Sequence, residues 1–305
     1  MMKAIAFATA ALGAALSIGA VQAEPAKVNI GYATASDYLA VYVAKEKGFF
    51  DKHNIDATIT RVPIITNVPP ALVSGSMQIG VTTMPSLLQA VDGGLDLVLI
   101  AGAARHIKER PTISLTLRKD VKYEKAADLV GKKIAVSGLN NVMDVFLRKW
   151  MLNQGVNPKG VTIIEAQLPQ MPDMLRNGTI DGATPVEPFR TAIVNSGAGY
   201  IASEFFAEVN PDVLVSGWIT TGEWAKKNPA VVAGFREAVK EGLDYINTNA
   251  ADLKDIEKKY LGFNAPGWPR FSNASTTDDM KVYIDIGKEL SLYRSTLDAS
   301  KFVVK

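Results

Sequence analysis

Apolar residues fall in two rhythms along this chain, and the rhythms alternate. Val28 to Ala33 and Ile134 to Val136 are short apolar runs that read as buried strands. The stretches after them, Asp37 to Phe50 and Asn140 to Asn153, space their apolar residues as helices do, with Val142, Val145, Phe146 and Trp150 on one face. The pattern continues through strand-like IDATITRV, helical PPALVSG, and the strands MQIGVTT and LDLVLIAGAA. A run from Thr112 to Leu117 and another from Val213 to Thr220 read as strands that cross between two halves. Beyond them the chain is mainly helical. Asn228-Pro229 supplies a cap residue and a first-turn proline for a helix through Phe235 and Ile246, expected to pack on the first half.

The chain also repeats itself. Gly75 to Pro85 (GSMQIGVTTMP) lies over Gly178 to Pro188 (GTIDGATPVEP) at an offset of 103 residues, and a strand and helix precede each copy. Strands alternating with helices of this length predict an α/β fold with parallel sheets, right-handed crossovers and helices on both faces. Two such halves predict two lobes, 24–114 plus 217–305 and 115–216, joined by two crossing strands. Ligands in such sheets sit beyond the carboxyl ends of the strands. That places Thr34, Ser36, Asp37, Tyr38, Thr82 and Thr83 on one lip of a cleft, and Ser137, Asn140 and Asn141 on the other. The same residue types are also ordinary helix caps, so each position has a structural reading beside the functional one.

Composition narrows the chemistry. Residues 1–23 hold one lysine and an alanine-rich uncharged run ending Val21-Gln22-Ala23, the pattern of a cleaved secretory signal peptide. The chain has no cysteine, which excludes thiol catalysis and cysteine metal sites. Its two histidines, His53 and His106, are too far apart in sequence to suggest a metal cluster. A formal charge of +2 with interspersed signs gives no nucleic-acid patch. No G-x-S-x-G elbow is present. Arg105, after the strand Leu97 to Ala103, suits a bidentate pair with a carboxylate or sulfonate, or simply a solvated charged turn. Tyr38 and Trp218 are candidates for stacking on a flat ligand or for ordinary packing.

KVNIGYATASDYLAVYVAKEKGFF, AADLVGKKIAVSG and RNGTIDGATPVEPF resemble the periplasmic substrate-binding proteins of ABC importers for nitrate, sulfonates and taurine, a group that includes relatives of thiamine-precursor synthases. The resemblance covers nearly all of the chain after residue 23. It implies the bilobed periplasmic-binding-protein fold of type II, closure on a small-molecule ligand, and delivery to a membrane permease with its ATPase. No cofactor, metal or nucleic acid is expected, and the protein is expected to be a periplasmic monomer. Ligand contacts carried over are Thr34, Ser36, Asp37, Tyr38, Thr82, Thr83, Ser137, Asn140, Asn141 and Glu187, with Thr66 and Asn67 in the 62–67 stretch. The implied ligand is a small organic anion, a sulfonate or carboxylate. Asp37 and Glu187 depart from a site for a bare oxyanion and suit an N–H or O–H donor, so a neutral aromatic heterocycle such as a pyrimidine vitamin precursor is the alternative. A sensor module and an enzyme on the same fold are the other classes.

Overall fold

The computed structural model describes residues 24–249 and 251–304; the expected signal peptide lies outside them. Among the described residues, eleven strands form two sheets. The first contains β1 (Ala26–Tyr32), β2 (Ile55–Arg61), β3 (Ile79–Thr83), β4 (Leu97–Ile107), β10 (Asp212–Thr221) and β11 (Arg270–Phe271), in the order β11-β4-β10-β3-β1-β2. The second contains β5 (Leu115–Arg118), β6 (Lys133–Val136), β7 (Thr162–Glu165), β8 (Gly182–Ala183) and β9 (Gly199–Ser203), in the order β7-β6-β8-β5-β9.

The repeat holds at residue level. Ile30 pairs with Ile79 in the first sheet as Ile134 pairs with Gly182 in the second, and β1–β2 and β6–β7 are both parallel. The sheets are mixed, however, where parallel ones were expected. β4, β10 and β11 run antiparallel, as do β5 with β8 and with β9. Parallel neighbours need a long crossover connection, whereas other neighbours are free to pair antiparallel. β4 and β10 carry the chain out of the first sheet and back, so they meet head to tail.

Both links between the sheets also differ from expectation. β10 pairs with β4 from Asp212 opposite Ile107 to Thr221 opposite Leu97, entirely within the first sheet. The boundary expected at residue 216 therefore falls inside a strand, and the return link is 204–211. The outward link is 108–114, with β5 starting only at Leu115. Lys108 N–H donates to the Pro211 carbonyl at 2.8 Å and ties the links together.

His106 lies beside this junction, 1% exposed, its ring 4.9 Å from that of Phe206. Neither ring nitrogen has a hydrogen-bond partner among the described residues. Burial, helped by the Arg190 charge and opposed by Asp212, lowers its pKa to about 4. The unfolded chain takes up this proton near pH 6.5 and the folded one only near 4, so stability falls as pH drops through that window. A His106→Phe variant should lack this component, which amounts to about 2 kcal/mol between pH 6.5 and 5. Thermal melts of both proteins across that range will show it; parallel curves would contradict it.

Helix Pro229–Thr248 begins at the expected proline and packs on helix Leu39–Glu46. Asn228 does not cap it: its side-chain amide donates to the Trp224 carbonyl at 2.9 Å. The two helices approach so closely at Gly242 that a Cβ there would lie 2.3 Å from the Ala40 carbonyl oxygen.

Candidate functional site

Between the sheets, beyond the carboxyl ends of β1, β3 and β6, opens a cleft with about 680 Å³ of free space including its mouth. Loops from both sheets line it. Thr34, Asp37, Tyr38 and Thr83 come from the first, and Ser137 and Asn141 from the second. Most of the wall is apolar, with Ala33, Ala35, Ile65, Met143, Leu168, Val186 and Val215.

Asp37 is the carboxylate in this lining. It sits in the 3-10 turn Ser36–Tyr38, and no side chain caps that turn. The Ser216 hydroxyl donates to Asp37 Oδ2 at 3.2 Å. Burial raises the carboxyl pKa to about 6 against the lowering effect of Ser216 and of its own backbone N–H. A carboxylate held at a desolvation penalty and not used by the helix start is an acceptor waiting for a donor.

The lip on the second sheet behaves differently. Asn141 is fully buried and caps helix Val142–Asn153, its Oδ1 accepting from Met143 N–H at 2.9 Å and Asp144 N–H at 3.2 Å. Its amide donates to Ser137 Oγ at 2.8 Å, and Val142 N–H is taken by Thr83 Oγ1 at 3.3 Å. The free helix-start N–H groups expected here to meet a ligand are therefore occupied. Asn140 is exposed at φ 59°, in the left-handed region that Asn tolerates. Its carbonyl accepts from Gln89 Nε2 at 3.1 Å, a contact across the cleft that leaves it outside the lining.

Other expected contacts stand back from the cleft. Ser36 points inward, its hydroxyl 2.7 Å from Glu257 Oε1. Thr82 is buried, its hydroxyl turned to the Thr83 carbonyl. Thr66 and Asn67 flank the rim beside Ile65, with the Thr66 methyl close to Gly138. Glu187 is held by Arg190 and Thr191 just behind Val186. Trp218 is 1% exposed and backs Tyr38 edge-on at 5.6 Å, so it supports the wall without forming it.

Arg105 stands outside the lining of the cleft. Its guanidinium pairs with Asp212 and Asp279, each at 2.7 Å, near the end of β4. Asp279 is 7% exposed, and losing its cation strands a carboxylate. Arg105→Met should therefore destabilise the fold by about 2 kcal/mol while ligand affinity stays unchanged. Denaturant melts with calorimetry check both, and a loss of affinity in a folded variant would restore the binding role.

Sequence reasoning missed Arg61, Gln167, Leu168, Pro169 and Ser216 in the lining. The repeat offers a signal for three of them. The turn Ile65–Asn67 after β2 recurs 103 residues later as Leu168–Gln170 after β7. The offset applied to the 62–67 stretch finds Gln167 to Pro169. Arg61 forms no ion pair with the described residues, and it gives the rim a positive charge opposite in sign to Asp37.

The chain is 24% identical over 268 residues to the nitrate/nitrite binding protein of Nostoc sp., covering 79% of this chain and 60% of that one. It is 28% identical over 256 residues to the taurine-binding periplasmic protein of Escherichia coli, covering 80% and 74%. The alkanesulfonate-binding protein of Xanthomonas axonopodis pv. citri, solved with MOPS, superposes with a TM-score of 0.78 at 15% identity, over 93% of this chain and 99% of that one. The NMT1/THI5-like family matches residues 35–251, and the chain belongs to that family.

Proposed function

We propose that this member of the NMT1/THI5-like family is the periplasmic ligand-binding component of an ABC importer, closing two lobes on a small organic molecule and presenting it to a permease and its ATPase. The first sheet with its helices forms one lobe and the second sheet with its helices the other. The observation that carries the reading is the Asp37 carboxylate, half-buried in the cleft lining and used by no helix cap. It calls for an N–H or ammonium group on the ligand, while Arg61 at the rim suits an acidic end. A small organic anion that also carries an amine satisfies both. The apolar wall and Tyr38 favour the second reading, a neutral aminated aromatic heterocycle such as a pyrimidine.

Binding without chemistry fits the residues present. His53 engages Glu241 on helix Pro229–Thr248, and His106 is buried beside the links, so neither histidine lines the cleft. Ligand contact with both lobes stabilises the closed state by its differential affinity. Thermal-shift assays with calorimetry across taurine, an alkanesulfonate, an aromatic carboxylate, nitrate and an aminopyrimidine test the ligand class. Aminated ligands should bind, with affinities of about 0.1–10 μM, and compact the protein in solution scattering. Tight binding of nitrate with none of the aminated compounds would overturn the role given to Asp37.

A further inference from the structure

A buried carboxylate outside the cleft is held by three hydrogen bonds. Glu257 lies in helix Leu253–Leu261, fully buried, and accepts three hydrogen bonds: from Ser36 Oγ at 2.7 Å, Ala265 N–H at 2.9 Å and Trp268 Nε1 at 3.1 Å. Ser36 opens the turn that carries Asp37, and Ala265 and Trp268 belong to the loop 262–268. One carboxylate thus joins the ligand-facing turn to a distant loop.

That loop reaches across the cleft. Gly262 ends the helix at φ 86°, a conformation that suits glycine, and turns the chain so that Phe263 meets Phe189. The rings stand edge to face, with centroids 5.1 Å apart and an interplanar angle of 89°. Phe189 begins helix Phe189–Asn195 of the second lobe, three residues after Val186 of the lining. It is 2% exposed yet belongs to neither of the two contiguous apolar cores, while Phe263 remains 37% exposed. An exposed ring lying over a buried one is the arrangement of a cover.

Resting on the two-lobe reading above, we propose that loop 262–268 is a clasp: Phe263 seated on Phe189 holds the lobes together, and Glu257 is a positioning residue that ties the clasp to the turn bearing Asp37. Opening the lobes would separate the rings and expose Phe189 to water. Movement of the Asp37 turn on ligand binding is transmitted through Ser36 and Glu257 to the loop. Neither Phe263 nor Glu257 lines the cleft.

Because the chain has no cysteine, spin labels can be placed at Thr58→Cys and Thr162→Cys alone, on exposed positions of β2 and β7. Pulsed electron resonance then reads the interlobe distance without any ligand. The parent should show a narrow short distance. Phe263→Ala and Phe189→Ala should each raise the open-to-closed ratio roughly threefold to tenfold, the size an edge-to-face pair supplies. The double variant should open no further than either single one. Glu257→Gln, whose amide places a donor against Ser36, Trp268 or Ala265, should open the lobes as Phe263→Ala does. If Phe263→Ala fails to fold in thermal melts, Phe263→Leu gives the same readout. Unchanged distances in folded variants, additive single effects, or a parent already as open as its variants overturn the clasp. Since no ligand is used, failure here is distinct from failure of the ligand assignment.

Discussion

Replacing Asp37 with asparagine should abolish most ligand affinity and at the same time raise the melting temperature. The two effects have one cause. Burial raises the Asp37 pKa from 3.8 to about 6, so at neutral pH the folded protein carries a carboxylate that the unfolded chain would ionise more easily. That difference corresponds to a penalty on the order of 2–3 kcal/mol, relieved when the charge is removed. The amide loses the charge-assisted bond to an N–H or ammonium group, which is worth roughly 1.5–3 kcal/mol, or at least a tenfold loss in affinity.

The pH dependence separates this effect from a general loosening. A group whose folded pKa is raised binds its proton first in the folded state, so Asp37 adds stability as pH falls from about 6 to 3.8. This slope opposes that of His106, and Asp37→Asn should lack it. An ammonium ligand should also bind the parent more weakly below pH 6, as the carboxylate protonates. Calorimetry and melts from pH 4.5 to 8 decide the matter. An asparagine variant that binds normally, or one that melts lower, would remove Asp37 from the site.

Trp218→Ala should be the most destabilising of these changes, although the sequence alone left it open between stacking on a ligand and ordinary packing. Trp218 packs between Tyr38 and Phe235, both edge-on with centroids at 5.6 Å, in a strand paired on both sides. Truncating a buried aromatic costs about 3–5 kcal/mol, on the order of 10 °C for a chain of this size. Affinity should fall as well, because Tyr38 loses its backing. Trp218→Phe keeps most of the packing and should preserve both properties. A tryptophan that stacks on ligand would give the opposite pattern, a large loss of binding with little change in melting. Denaturant unfolding beside calorimetry distinguishes the two.

Much of the architecture was legible in the sequence because it rests on local rules. Strand–helix alternation and the 103-residue repeat are carried by apolar spacing and by glycine and proline positions. They give two α/β sheets and place the lips bearing Thr34, Asp37, Tyr38, Thr83, Ser137 and Asn141. The shape of the chain's return was not legible. An apolar run at 213–220 reads the same whether it bridges two sheets or completes one, and only its pairing with β4 decides.

Within the site the division follows the same line. Which residues can accept or donate is fixed by the sequence; which of them are free to do so depends on neighbours far along the chain. Asp37 and Asn141 lie on the two lips of the cleft, and both read as caps or contacts. Tertiary structure gives the Asn141 oxygen two backbone N–H groups and leaves Asp37 one serine hydroxyl from β10, 179 residues away. Arg105 and Ser36 were likewise claimed by Asp279 and Glu257, partners 174 and 221 residues distant. Most buried polar groups are paired, and no local pattern records which distant residue will reach them first.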